Sequence, residues 1–128
     1  MTFELVSPER KLASMQARSV RIPGMEGELT AMPQHVPMLT TLRPGYVIVE
    51  GTGETRFFVT GGFAEITPEV VAVVAEEAVE AEKVTGEWLD GKVKAAETAH
   101  EEAGEDRKIA TLQTLYDYRA ILEGRGAP

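Results

Sequence analysis

Near Thr85 the pattern of this chain changes from period two to period 3.6, and no single sheet or helical bundle accommodates both. Before that point, short apolar runs alternate with turn residues: Ser7-Pro8, Pro23-Gly24, Gly51-Thr52-Gly53, Gly61-Gly62 and Thr67-Pro68-Glu69. Closely spaced short strands are the mark of a sandwich or barrel. After it, alanine and charge dominate, and Leu89, Val93, Ala96, Ala99 and Ala103 recur at three- and four-residue steps. The expected fold class is therefore α+β. A β-sandwich of short antiparallel strands is expected over residues 1–84, followed by an antiparallel two-helix hairpin with a frayed tail over residues 85–128.

Within the first part, strands are expected around Phe3 to Val6, Val20 and Ile22, Glu28 to Thr30, Tyr46 to Glu50, Arg56 to Thr60, Phe63 to Ile66, and Val70 to Val74. Gly51-Thr52-Gly53 reads as a hairpin loop, and Gly61-Gly62 can supply the positive φ angles of a two-residue turn, which together describe a meander. The valine run is β-branched and apolar on both faces, as a central strand would be.

In the second part Thr85 can cap a helix whose first turn carries Glu87. Gly91 lies inside that helix at a cost of roughly 1 kcal/mol relative to alanine. Gly104 is placed to end it and Asp106 to cap a second helix from Glu105 to Glu123, with Ile109, Leu112, Leu115, Tyr116 and Leu122 on its apolar side. A short connection makes the two helices antiparallel neighbours. Gly124 to Pro128 is expected to fray.

The stretch Gly27 to Gly45, GELTAMPQHVPMLTTLRPG, follows neither period and reads as a positioned loop. Pro33, Pro37 and Pro44 each fix φ and remove a donor. Met32, Val36, Met38, Leu39 and Leu42 nevertheless fill it with apolar material. It either covers the core or meets a partner.

Chemistry of its own is hard to assemble from these residues. The chain has no cysteine and two histidines, which excludes thiolate nucleophiles, disulfides and thiolate metal sites. His100 falls among Glu97, Glu101 and Glu102 and reads as a solvated surface histidine; His35, between prolines, reads as an interface histidine. No nucleophile elbow, P-loop or EF-hand spacing is present, so no catalytic residue, metal or cofactor is expected. Net charge is −8, concentrated in residues 76–106, where eleven acids face three bases. Such a chain repels phosphate backbones and anionic lipid, leaving proteins as the expected partners. Glu26 and Glu28 flank Gly27 beside the apolar stretch, where a charge could meet a cationic partner loop. With no long apolar run and no signal-like N-terminus, a cytoplasmic location is expected.

Three segments carry a more specific message: LVSPE at Leu5 to Glu9, GMEGELTAMPQHVPMLTTLRPG at Gly24 to Gly45, and FVTGGFAEI at Phe58 to Ile66 with the valine strand behind it. In this order, and followed by a helix pair, they make the whole chain resemble the epsilon-subunit family of the bacterial F-type ATP synthase. That resemblance implies a non-catalytic rotor part in the central stalk. It would bind the gamma subunit with the side of the sandwich and the c-ring loops with its lower end, peripheral to the cytoplasmic face of the bacterial inner membrane through protein contacts.

Carried over by motif, Ser7 corresponds to a gamma contact, and Glu26, Glu28, His35 and Met38 to the c-ring contact. The resemblance also implies a hairpin that can regulate ATP hydrolysis. Some members bind ATP through a D-x-x-R-A type motif at the start of the first helix, but the matching positions here read Thr85 and Trp88, and neither supplies a cation for a phosphate. No ATP site is expected. The acidic first helix is a poor grip for the alpha and beta catalytic subunits, while Arg107, Lys108, Arg119 and Arg125 leave a route to them. A different class of reading is a freestanding sandwich adaptor whose hairpin recruits a partner helix, with no rotor involved.

Overall fold

In the computed structural model, which describes residues 1–124, alternation of apolar and polar side chains produces ten strands before the first helix. They are β1 (Thr2–Val6), β2 (Lys11–Gln16), β3 (Ser19–Gly24), β4 (Gly27–Ala31), β5 (Met38–Leu42), β6 (Gly45–Glu50), β7 (Glu54–Val59), β8 (Gly62–Ile66), β9 (Val70–Ala75) and β10 (Ala78–Glu80). Hydrogen bonding runs in the order β10-β7-β6-β3-β5-β8-β9-β1-β2, with β4 on the other side of β3. The first layer of the sandwich is β10-β7-β6-β3 and the second is β5-β8-β9-β1-β2. They are joined only where Gly24 at the end of β3 pairs with Leu42 at the end of β5. A strand that leaves one layer for the other makes such a corner.

Small and constrained residues build that corner. A Cβ on Gly24 would lie 2.8 Å from the Gly27 carbonyl oxygen, and one on Gly45 would lie 2.9 Å from Pro23 Cβ. Between the layers the inward residues interdigitate: Phe3 and Leu5 of β1, Val20 and Ile22 of β3, Val47 and Val49 of β6, Phe57 and Val59 of β7, and Val71 and Val73 of β9, all buried. Phe3 and Phe57 stack with ring centroids 6.1 Å apart, tying the two layers together.

Several sequence expectations change here. The stretch from Gly27 to Gly45 is not one loop: β4 and β5 occupy its two ends, and only residues 32–37 lie between them. The prolines permit this because Pro37 precedes β5 and Pro44 follows it. Nor is the chain a simple meander, for β7 and β8 do not pair; Gly61-Gly62 carries the chain from the first layer to the second. β9 does lie between two strands, but its burial alternates: Val71, Val73 and Ala75 face inward while Val74 is exposed. Its neighbour β1 runs parallel to it. β2 was not expected, since KLASMQ has only a weak alternation.

The contacts divide the chain between Ala81 and Glu82. A 3₁₀ turn at Ala81–Lys83 spans that division and leads to α1 (Gly86–Glu102), and a 3₁₀ turn at Glu105–Arg107 leads to α2 (Lys108–Leu122). Thr85 caps α1 as expected, its Oγ1 accepting from the Trp88 amide at 3.1 Å. Thr85→Ala leaves that amide without its partner and should cost the hairpin about 1 kcal/mol, read as a lower helical thermal midpoint that Thr85→Ser restores. Asp106 does not cap α2, whose N-terminus has no side-chain cap; it lies within the 3₁₀ turn. Gly124, expected to fray, adopts φ +86° and its amide reaches the Ile121 carbonyl at 3.0 Å, closing α2. The rest of the expected frayed tail, Arg125 included, lies outside the described residues.

The seam between the helices also differs from the expected stripe. Leu89, Val93 and Ala96 are buried on α1, but the line continues to His100, and Ala99 is exposed. On α2 the buried residues are Leu115, Tyr118 and Ile121, while Ile109 and Tyr116 point to solvent. His100 is half-buried rather than solvated: its Nδ1 lies 2.8 Å from Thr111 Oγ1, and the Lys108 ammonium donates to its carbonyl at 2.9 Å. The Thr111 hydroxyl also lies within hydrogen-bond distance of the Arg107 carbonyl, at 2.9 Å, and the Lys108 carbonyl, at 3.2 Å. Arg119 and Glu97 add an ion pair across the helices at 2.8 Å, worth less than about 1 kcal/mol at its exposure.

Candidate docking surface

No polar or charged residue among those described is buried as a whole. The described residues hold no cluster of three or more His, Asp or Glu suited to a metal ion. Burial pushes the Tyr46 phenol above its ordinary value of 10.0, and the nearby Arg56 guanidinium pulls partly in the other direction. Tyr46 stands edge-on to Phe58, ring centroids 5.1 Å apart.

Because the folded phenol holds its proton more tightly than the unfolded one, its contribution is fully present below pH 10 and lost as pH rises through the folded pKa. Urea midpoints should therefore fall above pH 10 in the native chain. The fall should be shallower in Tyr46→Phe.

What does stand out is apolar surface on the second layer. Registers place Thr41, Phe63, Val74, Val6 and Lys11 in one row across β5, β8, β9, β1 and β2. Leu39, Glu65, Ala72, Glu4 and Ser14 form the next row on the same face. Leu39 is 68% exposed and Phe63 46%, neighbours on a diagonal, with Val74 beside Phe63. Glu4 and Lys11 pair at 3.3 Å at the margin. Glu65 lies between Leu39 and Ala72, so the apolar residues of this face border a carboxylate as well as the Glu4–Lys11 pair.

The loop 32–37 extends this surface past the strand ends. Its Gln34 amide donates to the Pro68 carbonyl at 3.1 Å, tethering the loop to the turn between β8 and β9. Gln34 holds φ +69°, the left-handed region, which costs a non-glycine residue roughly 1–2 kcal/mol. The conformation is fixed by that bond, by His35 N–H on the Met32 carbonyl at 3.0 Å, and by His35 Nδ1, 2.7 Å from the Val36 carbonyl. Met32 and Val36 are left pointing outward.

The residues singled out from the sequence do not form one cluster. Glu26 lies in the turn between β3 and β4, and Glu28 is the second residue of β4, where Arg21 approaches it at 3.7 Å. Met38 lies at the opposite end of β5 from Leu42, the residue that meets the corner, and His35 lies beyond Met38. The length of β5, about 13 Å, separates the two pairs. Ser7 begins the turn between β1 and β2, its hydroxyl donating to the Arg10 carbonyl at 3.4 Å, next to Val6 of the apolar row. Thr85 and Trp88 sit at the start of α1, where Lys92 lies 5.1 Å from the Trp88 ring centroid. Sequence reasoning found Leu39 and the proline loop but not Phe63 or Val74 as surface residues. Only the register shows that they share an outward row.

Comparison with known proteins places this architecture. The family described as "ATP synthase, Delta/Epsilon chain, beta-sandwich domain" matches residues 1–81. The ATP synthase epsilon chain of Jannaschia sp. is 52% identical over 124 residues, covering 96% of this chain and 94% of that one. The chain belongs to the ATP synthase epsilon family. The epsilon chain of Ruegeria sp. is 53% identical over 107 residues, 83% of this chain and 78% of its own, and that of Paracoccus denitrificans 45% identical over 130 residues, 94% and 87%. The epsilon fold also recurs at greater distance. A chain of the Euglena gracilis mitochondrial ATP synthase superposes with TM-score 0.72 at 23% identity, covering 95% of this chain and 79% of that one. One from the central stalk/c-ring structure of the Tetrahymena thermophila enzyme superposes with TM-score 0.68 at 15% identity, covering 97% and 95%. No described helix of this chain is long and apolar enough to cross a membrane.

Proposed function

We propose that this chain is a non-catalytic rotor subunit in the central stalk of a proton-translocating F-type ATP synthase, coupling gamma to the c-ring during ATP synthesis. The observation that carries the reading is the outward row Phe63, Val74 and Val6 with Leu39, an apolar face on a rigid sandwich. Rigid layers joined by backbone hydrogen bonds transmit torque without shearing, which a helix pair does less well. We assign gamma to that face, with Ser7 at one margin; His35 and Met38, which the resemblance implied as c-ring contacts, lie a strand length from Glu26 and Glu28 and are assigned to gamma in this proposal instead. Glu26 and Glu28 are left at the corner end as the charges that orient the sandwich against basic c-ring loops. Association with the cytoplasmic face of the bacterial inner membrane then runs through the c-ring. Family membership and the relatives' name support this reading.

The test is reconstitution with purified gamma and the catalytic hexamer, using the full chain and a form ending at Val84. Both forms should bind gamma with equal affinity, and ATP hydrolysis should be the same with either. Release of hydrolysis on truncation would make the hairpin a brake on the alpha and beta subunits. Absence of gamma binding by the full chain would return the freestanding-adaptor reading.

A further inference from the structure

We propose that Glu65 is the residue by which the docking face selects its partner, and that gamma meets it with an arginine whose guanidinium pairs with the Glu65 carboxylate and rests on the Phe63 ring; this deepens, and rests on, the gamma-binding reading above. The strands of the sandwich hold six glutamates. Glu4, Glu28, Glu50, Glu54 and Glu80 each lie 2.6–3.9 Å from an arginine or lysine of their own chain. The sixth, Glu65, is exposed, and no ion pair or hydrogen bond joins its carboxylate to another described residue.

Register explains the difference. Leu39 and Ala72 stand on either side of Glu65, and Phe63 precedes it by two residues on the same face. Its diagonal neighbours Thr41 and Val74 carry no charge either. Lys11, the cation in these two rows, stands on β2, three strand spacings or about 14 Å away, and is held by Glu4. In the unbound chain the Glu65 carboxylate is left to water.

Docking removes that water. Covering Leu39, Phe63 and Val74 with partner surface also desolvates the carboxylate between them, which is costly unless the partner brings a charged donor to the same point. A guanidinium suits the site better than an ammonium. It is planar, more weakly hydrated, and offers a carboxylate two parallel N–H donors. Residues 63 and 65 stand about 6.6 Å apart on one face of β8, so one arginine side chain reaches the carboxylate while its plane lies on the aromatic ring. The apolar neighbours supply area and Glu65 supplies register, because any placement that sets an apolar or acidic residue opposite it buries an unpaired charge.

The experiment measures equilibrium affinity of purified gamma for the full chain carrying Glu65→Gln, with Glu54→Gln, which removes the same charge from the first layer, as the control. Glu65→Gln should keep the native thermal midpoint, since the carboxylate holds nothing in the unbound chain, and should bind gamma about thirtyfold more weakly or worse. Glu54→Gln should bind within about twofold. Each arginine of gamma is then changed to alanine and tested against the native and Glu65→Gln chains. One of these changes should weaken binding to the native chain and add little further loss with Glu65→Gln. No loss with Glu65→Gln, an equal loss with Glu54→Gln, or coupling to no arginine of gamma overturns the proposal; a chain carrying Leu39→Glu and Phe63→Glu that still loses affinity would then keep the docking face itself. Failure of the native chain to bind gamma overturns the docking reading.

Discussion

Replacing Gly62 by alanine should destabilise the sandwich by about 2–5 kcal/mol, combining the strain of a left-handed side chain with that of overpacking. Gly62 opens β8 with φ +126°, after Gly61 at φ +148°. A Cβ at Gly62 would collide with the Val74 carbonyl oxygen and lie 2.9 Å from Ala75 Cα, both backbone atoms of the neighbouring strand. β8 would have to move away from β9, and with it the face that carries Phe63. Gly61 is more forgiving, because its Cβ would meet only the Glu76 carboxylate, at 3.3 Å, which can swing aside. Gly53 provides the control: its Cβ meets nothing within 4 Å, and Gly53→Ala should be neutral or stabilise by up to about 1 kcal/mol. Denaturant titrations of the three variants separate these cases. Equal midpoints for Gly62→Ala and Gly53→Ala would show that β8 is free to shift, contrary to the packing described.

The second large effect is on docking. A chain carrying both Leu39→Glu and Phe63→Glu should keep its fold, since both side chains already face solvent, and should lose gamma affinity by a factor of roughly 100 or more. The physical reason is the burial of two unpaired carboxylates where apolar contact was made. Equilibrium binding to purified gamma, with circular dichroism to verify the fold, decides it. Arg21→Ala, which removes the ion pair between β3 and Glu28 of β4, strands outside the second layer, should leave gamma affinity within about twofold. Undiminished gamma binding by the double glutamate chain would move the interface off this face.

The two effects are linked through one segment. The glycine pair delivers the chain from one layer to the other, and the strand it starts carries Phe63 outward and Ala64 and Ile66 inward. Its sequence, GGFAEI, thus encodes the crossover, half of a core strand and the centre of the docking face. Gly61-Gly62 looked like a hairpin turn because two glycines suit either role. Which role they take depends on whether β7 finds β8 or β10 beside it, and only long-range pairing settles that.

Taken alone, the sequence determined the features that rest on local chemistry: the change from strand to helix at Thr85, its capping hydroxyl, the Gly51-Thr52-Gly53 loop between β6 and β7, and the α+β class. These depend on side-chain period, φ preference and hydrogen bonds between near neighbours. The tertiary structure decided everything that depends on partners distant in the chain. It paired Pro-flanked Met38–Leu42 with β8 as a strand and ran β1 parallel to β9. It turned the hairpin seam toward His100 and Tyr118, and set Glu26 and Glu28 a strand length from His35 and Met38. An apolar residue carries no mark of the side it will face. Phe63 and Ile66 are equally hydrophobic, and it is register, fixed by which strands meet, that buries one and leaves the other as surface for a partner.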